Sequence, residues 1–406
     1  MIIWKRNFKL CIFTQITILN KMVSKLFQRF LQSQTSGGIT LIFCTVFSLI
    51  VANSMFAESY QEMWHFDLFG HTLAHWINDG LMAIFFFLIG LELKREMLIG
   101  ELSNVKKAIL PIFAAIGGML VPAGIFIALN YGTDTMNGFG IPMATDIAFA
   151  VAVITMLGNR VPMSLKIFLT ALAVIDDLGA ILVIALFYPN PELPFDIIQF
   201  GFAIGILAIL FGFNKLKINS IVPYIIGGIA VWWFMLHSGI HATIAGVLVA
   251  FTIPFDKDQT KSLCAKVEHA LHLPVAFIIL PIFALANTAI TIDGGGFSHF
   301  SLPLAAGIFF GLVVGKPIGV TLASFIAVKL GLCELPTAVN FKRVFGTGLL
   351  AGIGFTMSIF VSMLAFKDPQ YVNEAKLMIL VASVTAAIIG FFYLKMTLTT
   401  RQDYSD

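Results

Sequence analysis

Charge is what this chain has least of. Only 12% of its 406 residues are Asp, Glu, Lys or Arg, about half the share of an ordinary soluble domain. Together with 58% hydrophobic residues and a mean hydropathy of +0.93, this deficit excludes a water-soluble globular protein and points to a chain that crosses a bilayer many times. Cysteine is scarce as well. Cys11, Cys44, Cys264 and Cys333 show no paired spacing, which excludes a disulfide framework or a cysteine metal site; all four are expected reduced and chemically silent. No connection is long enough to form a soluble domain, and there is no tandem repeat or low-complexity tract. No small-residue cleavage site follows the basic first 36 residues, so a removed signal peptide is not expected. A short amphipathic surface helix is expected around Met22–Leu31.

What is present is a succession of apolar segments of about the 17–25 residues that span a membrane. They read as twelve helices, at 37–56, 76–98, 107–130, 140–158, 162–187, 195–213, 219–236, 238–255, 267–289, 303–328, 341–366 and 374–396. Only His237, Ser238 and Gly239 separate the seventh from the eighth, which read either as two short helices or as one bent hairpin. The expected fold class is an all-α polytopic membrane protein. Residues 1–36 form a basic cytoplasmic segment, 37–398 a single transmembrane domain and 399–406 a short tail. Basic residues test the count independently: they crowd the N-terminal segment, the tail and the connections after the even-numbered segments, whereas Lys367 and Lys376 are alone in the opposite connections. By the positive-inside rule, both termini are cytoplasmic and the chain crosses the membrane many times. The aromatic connection Ala57–His75 could form a hairpin or a surface helix, and Gly294–Gly296 reads as a turn. Segment four is interrupted at GIPMATD (Gly140–Asp146) and segment eleven at GTGLLAGIGFTMS (Gly346–Ser358). Paired broken helices in two halves are the sequence pointer to a transporter binding site built on inverted-topology repeats.

The charges within the apolar segments carry the chemistry. Asp176 and Asp177 stand side by side in the middle of segment five. Each costs about 2.5–3.5 kcal/mol to insert at a helix centre, whereas one leucine returns about 0.3–0.6 kcal/mol. On a helix the two side chains diverge by about 100° and differ by about 1.5 Å in height. They therefore cannot both face one ligand squarely, and one is read as an ion ligand while the other meets a different partner. Lys316, in the middle of segment ten, is the obvious partner, because buried opposite charges stabilise one another; a purely structural pair is the alternative. Asp146 and Thr145 lie at the break in segment four. There they either offer oxygen ligands to a small hard cation, or Asp146 caps the second half-helix with Thr145 merely close by. Buried carboxylates can hold protons that an entering sodium or lithium ion displaces, so proton and metal compete. If two protons leave for one monovalent cation, each cycle moves net charge.

A second cluster sits at the cytoplasmic helix ends. Glu92 and Glu96 occur in LELKREML, and Glu268, His269 and His272 in LCAKVEHALHLP. They could sense cytoplasmic pH or be solvated helix ends. His241 is read as a packing histidine, and Asn78 and Asp79 as caps at the outer end of segment two.

Several stretches resemble the NhaA-type sodium/proton antiporters. They are IPMATDIAFAVAVITMLGNRVPMSLKIFLTALAVIDDLGAILVIALFY, WINDGLMAIFFFLIGLELKRE, SGIHATIAGV, VEHALHLPVAFIILPIFALAN, GKPIG and GIGFTMSIFV. The resemblance runs from about Gly37 to Leu394. It implies crossed, unwound helices four and eleven, with Asp176 and Asp177 as paired ion- and proton-binding residues. Asp146 and Thr145 then lie at the crossing, and Lys316 pairs with Asp176. It places Glu92, Glu96, His241, Glu268, His269 and His272 among pH-response positions. The activity it implies is exchange of cytoplasmic Na+ or Li+ for external H+ by alternating access, electrogenic and pH-regulated, in a homodimer embedded in lipid. No cofactor, nucleic acid or enzymatic reaction is expected. A sodium-coupled solute symporter would need more polar groups than the carboxylates and Lys316. An intramembrane aspartyl protease would need a Gly-x-Gly-Asp motif, which neither Asp146 nor Asp176 has.

Overall fold

The computed structural model describes residues 36–188, 194–291 and 301–398. The expected surface helix at Met22–Leu31, the Gly294–Gly296 turn, the N-terminal segment and the tail lie outside the described residues. Without water in a bilayer core, backbone groups must pair within their own segment, and the apolar runs accordingly form helices. These are α1 (Ser36–Ala52), α2 (Leu73–Leu98), α3 (Lys106–Asn130), α5 (Met163–Phe187), α6 (Ile197–Lys215), α7 (Val222–Leu236), α8 (Ile244–Thr252), α9 (Leu263–Asn287), α10 (Leu302–Lys329) and α12 (Pro369–Thr397). Two further segments are broken. A 3-10 helix α4a (Met136–Met143) and α4b (Ile147–Met156) meet at 40°, and α11a (Phe341–Ala351) and α11b (Phe355–Ala365) meet at 52°.

Each of the twelve expected segments thus coincides with a helix or a broken pair among the described residues. The eighth is the one most altered. Instead of 238–255, only Ile244–Thr252 is helical, because Gly239 takes a left-handed φ of +80° and the chain turns through 238–243 before the helix starts. The Ala57–His75 connection contains both expected forms: a short helix, Ala57–His65, and a two-stranded antiparallel hairpin pairing Asp67–Leu68 with His71–Thr72. The expected capping of α2 by Asn78 and Asp79 is wrong. Thr72 accepts the His75 N–H at the true start, and Asn78 and Asp79 fall inside a π-helical turn, Trp76–Leu81.

The helices sort into two bundles by their packing. α3, α4, α5, α10, α11 and α12 pack on one another, as do α1, α2, α6, α7, α8 and α9. The first bundle consists of two three-helix units, α3–α5 and α10–α12, which enter from opposite faces, as inverted repeats must. Its seam is α3 against α10. A Cβ on Gly117 would lie 2.2 Å from the Gly319 carbonyl oxygen, so only glycine permits this approach. In the second bundle Gly246 of α8 lies against the Ala83 carbonyl of α2 in the same way. α1 against α4b, α2 against α5 and α9 against α11b join the two bundles.

Candidate ion-exchange site

The site is built where the two breaks cross. Proline and glycine prevent α4 and α11 from continuing, and freed backbone groups find partners across the crossing. The Asp146 N–H donates to the Ile353 carbonyl at 2.7 Å, and Ser358 Oγ donates to the Ile141 carbonyl at 2.7 Å. Asp146 lies on this crossing. Its Oδ1 accepts the Phe149 N–H at 2.9 Å, the N-cap of α4b, while Oδ2 accepts the Thr356 hydroxyl at 2.5 Å and the Thr356 N–H at 3.1 Å. Asp146 is therefore a cap that also ties one broken helix to the other, with both oxygens occupied.

Thr145 does not join Asp146, as its sequence position invited. Its hydroxyl lies 2.6 Å from Asp176 Oδ2 on α5 and 2.8 Å from the Ala351 carbonyl on α11a. The backbone is extended at Ala144 and Asp146, which turns adjacent side chains to opposite sides. From α10, Lys316 Nζ reaches the same Asp176 Oδ2 at 2.6 Å and also donates to the Met143 carbonyl. A π-helical turn, Gly311–Gly315, immediately precedes Lys316, the kind of local unwinding often found at functional sites. Asp176 and Lys316 are 0% exposed and Asp177 is 1% exposed, so this pair is closed to solvent on every side.

Asp177 differs from its neighbour. Both of its carboxylate oxygens are buried and hydrogen-bond to no protein group, and Asp176 Oδ1 is in the same state. Buried polar atoms are nearly always paired. Three unpaired carboxylate oxygens on adjacent residues are what a proton or a small cation would satisfy.

Electrostatically, Asp177 feels Asp176, Asp146, Lys316 and the partly buried Glu92 of α2. Glu92 in turn feels Glu268, Arg95 and Glu96. Arg95 bridges Glu96 at 3.0 Å and Glu268 at 3.3 Å. Carboxylates thus run from the site to the face that carries the basic connections. His269 and His272 are exposed on the same stretch of α9, one and four residues after Glu268. His241 is not brought to it. It lies buried before α8 at the opposite end, against the backbone of Tyr188, with Nε2 unpartnered.

Two further residues, Thr356 and Lys94, belong to this arrangement. Thr356 lies within the quoted GFTMS stretch, and its position just past a helix break, like that of Thr145, was an available signal. Lys94, 8% exposed, donates to the carbonyls of Phe251 at 2.7 Å and Ile253 at 2.5 Å where α8 ends; nothing local in the sequence marks it as different from Arg95.

The sequence profile of the Na+/H+ antiporter 1 family matches residues 28–394. The Na(+)/H(+) antiporter NhaA of Flavobacterium psychrophilum is 55% identical over 376 residues, covering 93% of this chain and 97% of that one. That of Cytophaga hutchinsonii is 54% identical over 376 residues, covering 93% and 96%. That of Vibrio vulnificus is 48% identical over 374 residues, covering 91% and 95%. Among solved structures, the sodium proton antiporter MjNhaP1 from Methanocaldococcus jannaschii at pH 8 covers 94% of this chain and 96% of its own. Its TM-score is 0.53 at 14% identity, a likeness of fold. With the crossed broken helices and the buried carboxylates of α5 now accompanied by these matches, the chain belongs to the NhaA-type Na+/H+ antiporter family.

Proposed function

We propose that the protein exchanges sodium for protons across the membrane at Asp176 and Asp177, by alternating access. The observation that carries this reading is the buried Asp177 carboxylate, with neither oxygen bonded to protein, one residue from an Asp176 that is paired with Lys316. Asp177 is the principal cation ligand. In its protonated form it is neutral, and an arriving sodium or lithium ion takes the place of that proton. Asp176 is the lysine-coupled partner. When a cation draws on its charge, Lys316 loses its counter-ion in a fully buried site, where an unpaired ammonium is disfavoured, and a second proton leaves. One cation against two protons makes the cycle electrogenic. Asp146 keeps the crossing assembled and supplies negative charge beside it.

The relatives named as Na+/H+ antiporters support sodium and proton as cargo. The basic connections support an orientation with both termini in the cytoplasm, so that sodium leaves the cell and protons enter. The run from Glu92 to Glu268 and Glu96 faces the cytoplasm in that orientation and is the proposed seat of pH response. A bacterial inner membrane and a homodimeric state complete the reading.

The test is sodium-induced proton release in proteoliposomes. Wild-type protein should collapse a preformed pH gradient on addition of sodium, and Asp177→Asn should not. A wild-type protein indifferent to sodium would overturn the exchange reading; normal transport by Asp177→Asn would overturn the assignment of roles. Electrogenicity is read by imposing a membrane potential, to which the exchange rate should respond.

A further inference from the structure

Every group of the site belongs to one bundle. Thr145, Asp146, Asp176, Asp177, Lys316 and Thr356 lie on or at the ends of α4, α5, α10 and α11, and their side-chain hydrogen bonds stay among those helices. Exposing such a site alternately to two sides requires the bonds that join this bundle to the other to change. Bonds internal to either bundle can persist.

One chain of side chains crosses that boundary at a distance from the carboxylates. Lys376 Nζ of α12 donates to Asn287 Oδ1 of α9 at 3.3 Å. Asn287 Nδ2 donates to Asn78 Oδ1 of α2 at 2.8 Å. Asn78 Nδ2 in turn lies 3.4 Å from Met363 Sδ of α11b. The chain thus starts and ends in the site-bearing bundle and passes through two helices of the other. All four residues lie near the face opposite the basic connections, where α2 and α12 begin and where α9 and α11b end.

The chemistry suits a contact that is made and broken. Asn287 is 3% exposed. Its amide nitrogen is taken up by Asn78 and by the Phe283 carbonyl at 3.0 Å, and its oxygen by Lys376, so Asn287 is shielded in the closed contact. Its partners are an amide, a carbonyl and a single ammonium, with a thioether, a weak acceptor, at the far end. Bonds of this kind are exchanged for water at modest cost, unlike the Lys316–Asp176 pair, whose partners are both charged. Lys376 makes no ion pair with a carboxylate within 4.0 Å among the described residues. Among the described residues, no strong charge pair therefore fixes the contact in one state.

We propose that Lys376, Asn287 and Asn78 form a latch that closes the outer side between the two bundles and breaks each time the site opens outward. The latch rests on the antiport reading above. It releases when water reaches Asn287 and closes again when the site-bearing bundle returns.

The test uses full-length protein with Cys11, Cys44, Cys264 and Cys333 replaced by serine, reconstituted into proteoliposomes. Asn78→Cys and Met363→Cys are introduced singly and together and treated with a short bifunctional maleimide. Each single variant, and the pair before treatment, should exchange sodium for protons; the cross-linked pair should not. Cross-linked protein that exchanges at the untreated rate would overturn the latch, as would failure of the pair to cross-link. A second variant, Lys376→Met, keeps the apolar stem and removes the ammonium. It should lower the half-saturating sodium concentration at the outer face relative to the cytoplasmic face by about fivefold, the population shift expected for one hydrogen bond lost. An unchanged ratio would overturn the proposal. Wild-type vesicles without sodium-driven proton flux would instead overturn the exchange reading, and the latch with it.

Discussion

Thr145 and Lys316 converge on a single oxygen: each places its polar atom 2.6 Å from Asp176 Oδ2. One reaches it from the break in α4 and the other from α10. Between them they leave Asp176 Oδ1 and both oxygens of Asp177 without a protein partner. Two aspartates adjacent in sequence are thereby made chemically different, and that asymmetry underlies the roles proposed for them.

Lys316→Ala should shift the pH profile of exchange more than it abolishes sodium binding. Leaving one member of a buried ion pair charged and alone costs about 3–5 kcal/mol. Asp176 escapes much of that penalty by holding a proton, and a more alkaline medium is then needed to free it for sodium. The profile of sodium-induced proton release should therefore move to alkaline pH. A variant with an unmoved profile would show that the lysine is not coupled to the transported proton.

Thr356→Val removes the 2.5 Å hydroxyl bond to Asp146 Oδ2 while nearly preserving shape. An under-satisfied buried carboxylate should cost about 1–3 kcal/mol, seen as a lower thermal midpoint in detergent. Thr356→Ser should recover most of it. Equal midpoints for valine and serine would remove the hydroxyl from the account of the crossing.

Gly117→Ala places a methyl where the Gly319 carbonyl stands 2.2 Å away and so pushes α3 from α10, the helix that carries Lys316. Overpacking of this kind costs about 1–3 kcal/mol, and both thermal stability and exchange rate should fall. Gly124→Ala, on the same helix with open space around it, is the control and should be close to neutral. If the two variants behave alike, the close seam does not matter.

Lys94→Met should loosen α8. That helix has nine residues, too few to hold together without tertiary support, and Lys94 bonds the carbonyls of Phe251 and Ile253 at its end. Faster amide hydrogen exchange in α8, with α3 unchanged, is the expected result. Unaltered protection across residues 244–252 would count against the cap.

Much of this arrangement was legible in the residues. Lys316 and the Asp176–Asp177 pair stand out because each is a costly charge in an otherwise apolar run. Pro142, Gly352 and Gly354 mark the breaks because they punctuate a helix wherever it packs. Thr145 was harder to read. It stands beside Asp146 in sequence, yet the extended backbone at Ala144 and Asp146 sends its hydroxyl to Asp176, 31 residues away. Asn78 looked like a helix cap because it lies near an end, whereas its partners are Asn287 and Met363 on other helices.

The sequence by itself determined the membrane class, the number of helical segments, the two breaks and the identity of the buried charges. Insertion energy is a sum over consecutive residues, and helix interruption is a property of local backbone chemistry. Only the tertiary structure decided which oxygen meets which donor, that Asp146 is bonded on both oxygens while Asp177 is bonded on neither, and that the site belongs to one bundle of two. Those outcomes depend on how helices far apart in the chain rotate and cross, to within the fraction of an ångström over which a hydrogen bond exists, and no pattern along the chain encodes that distance.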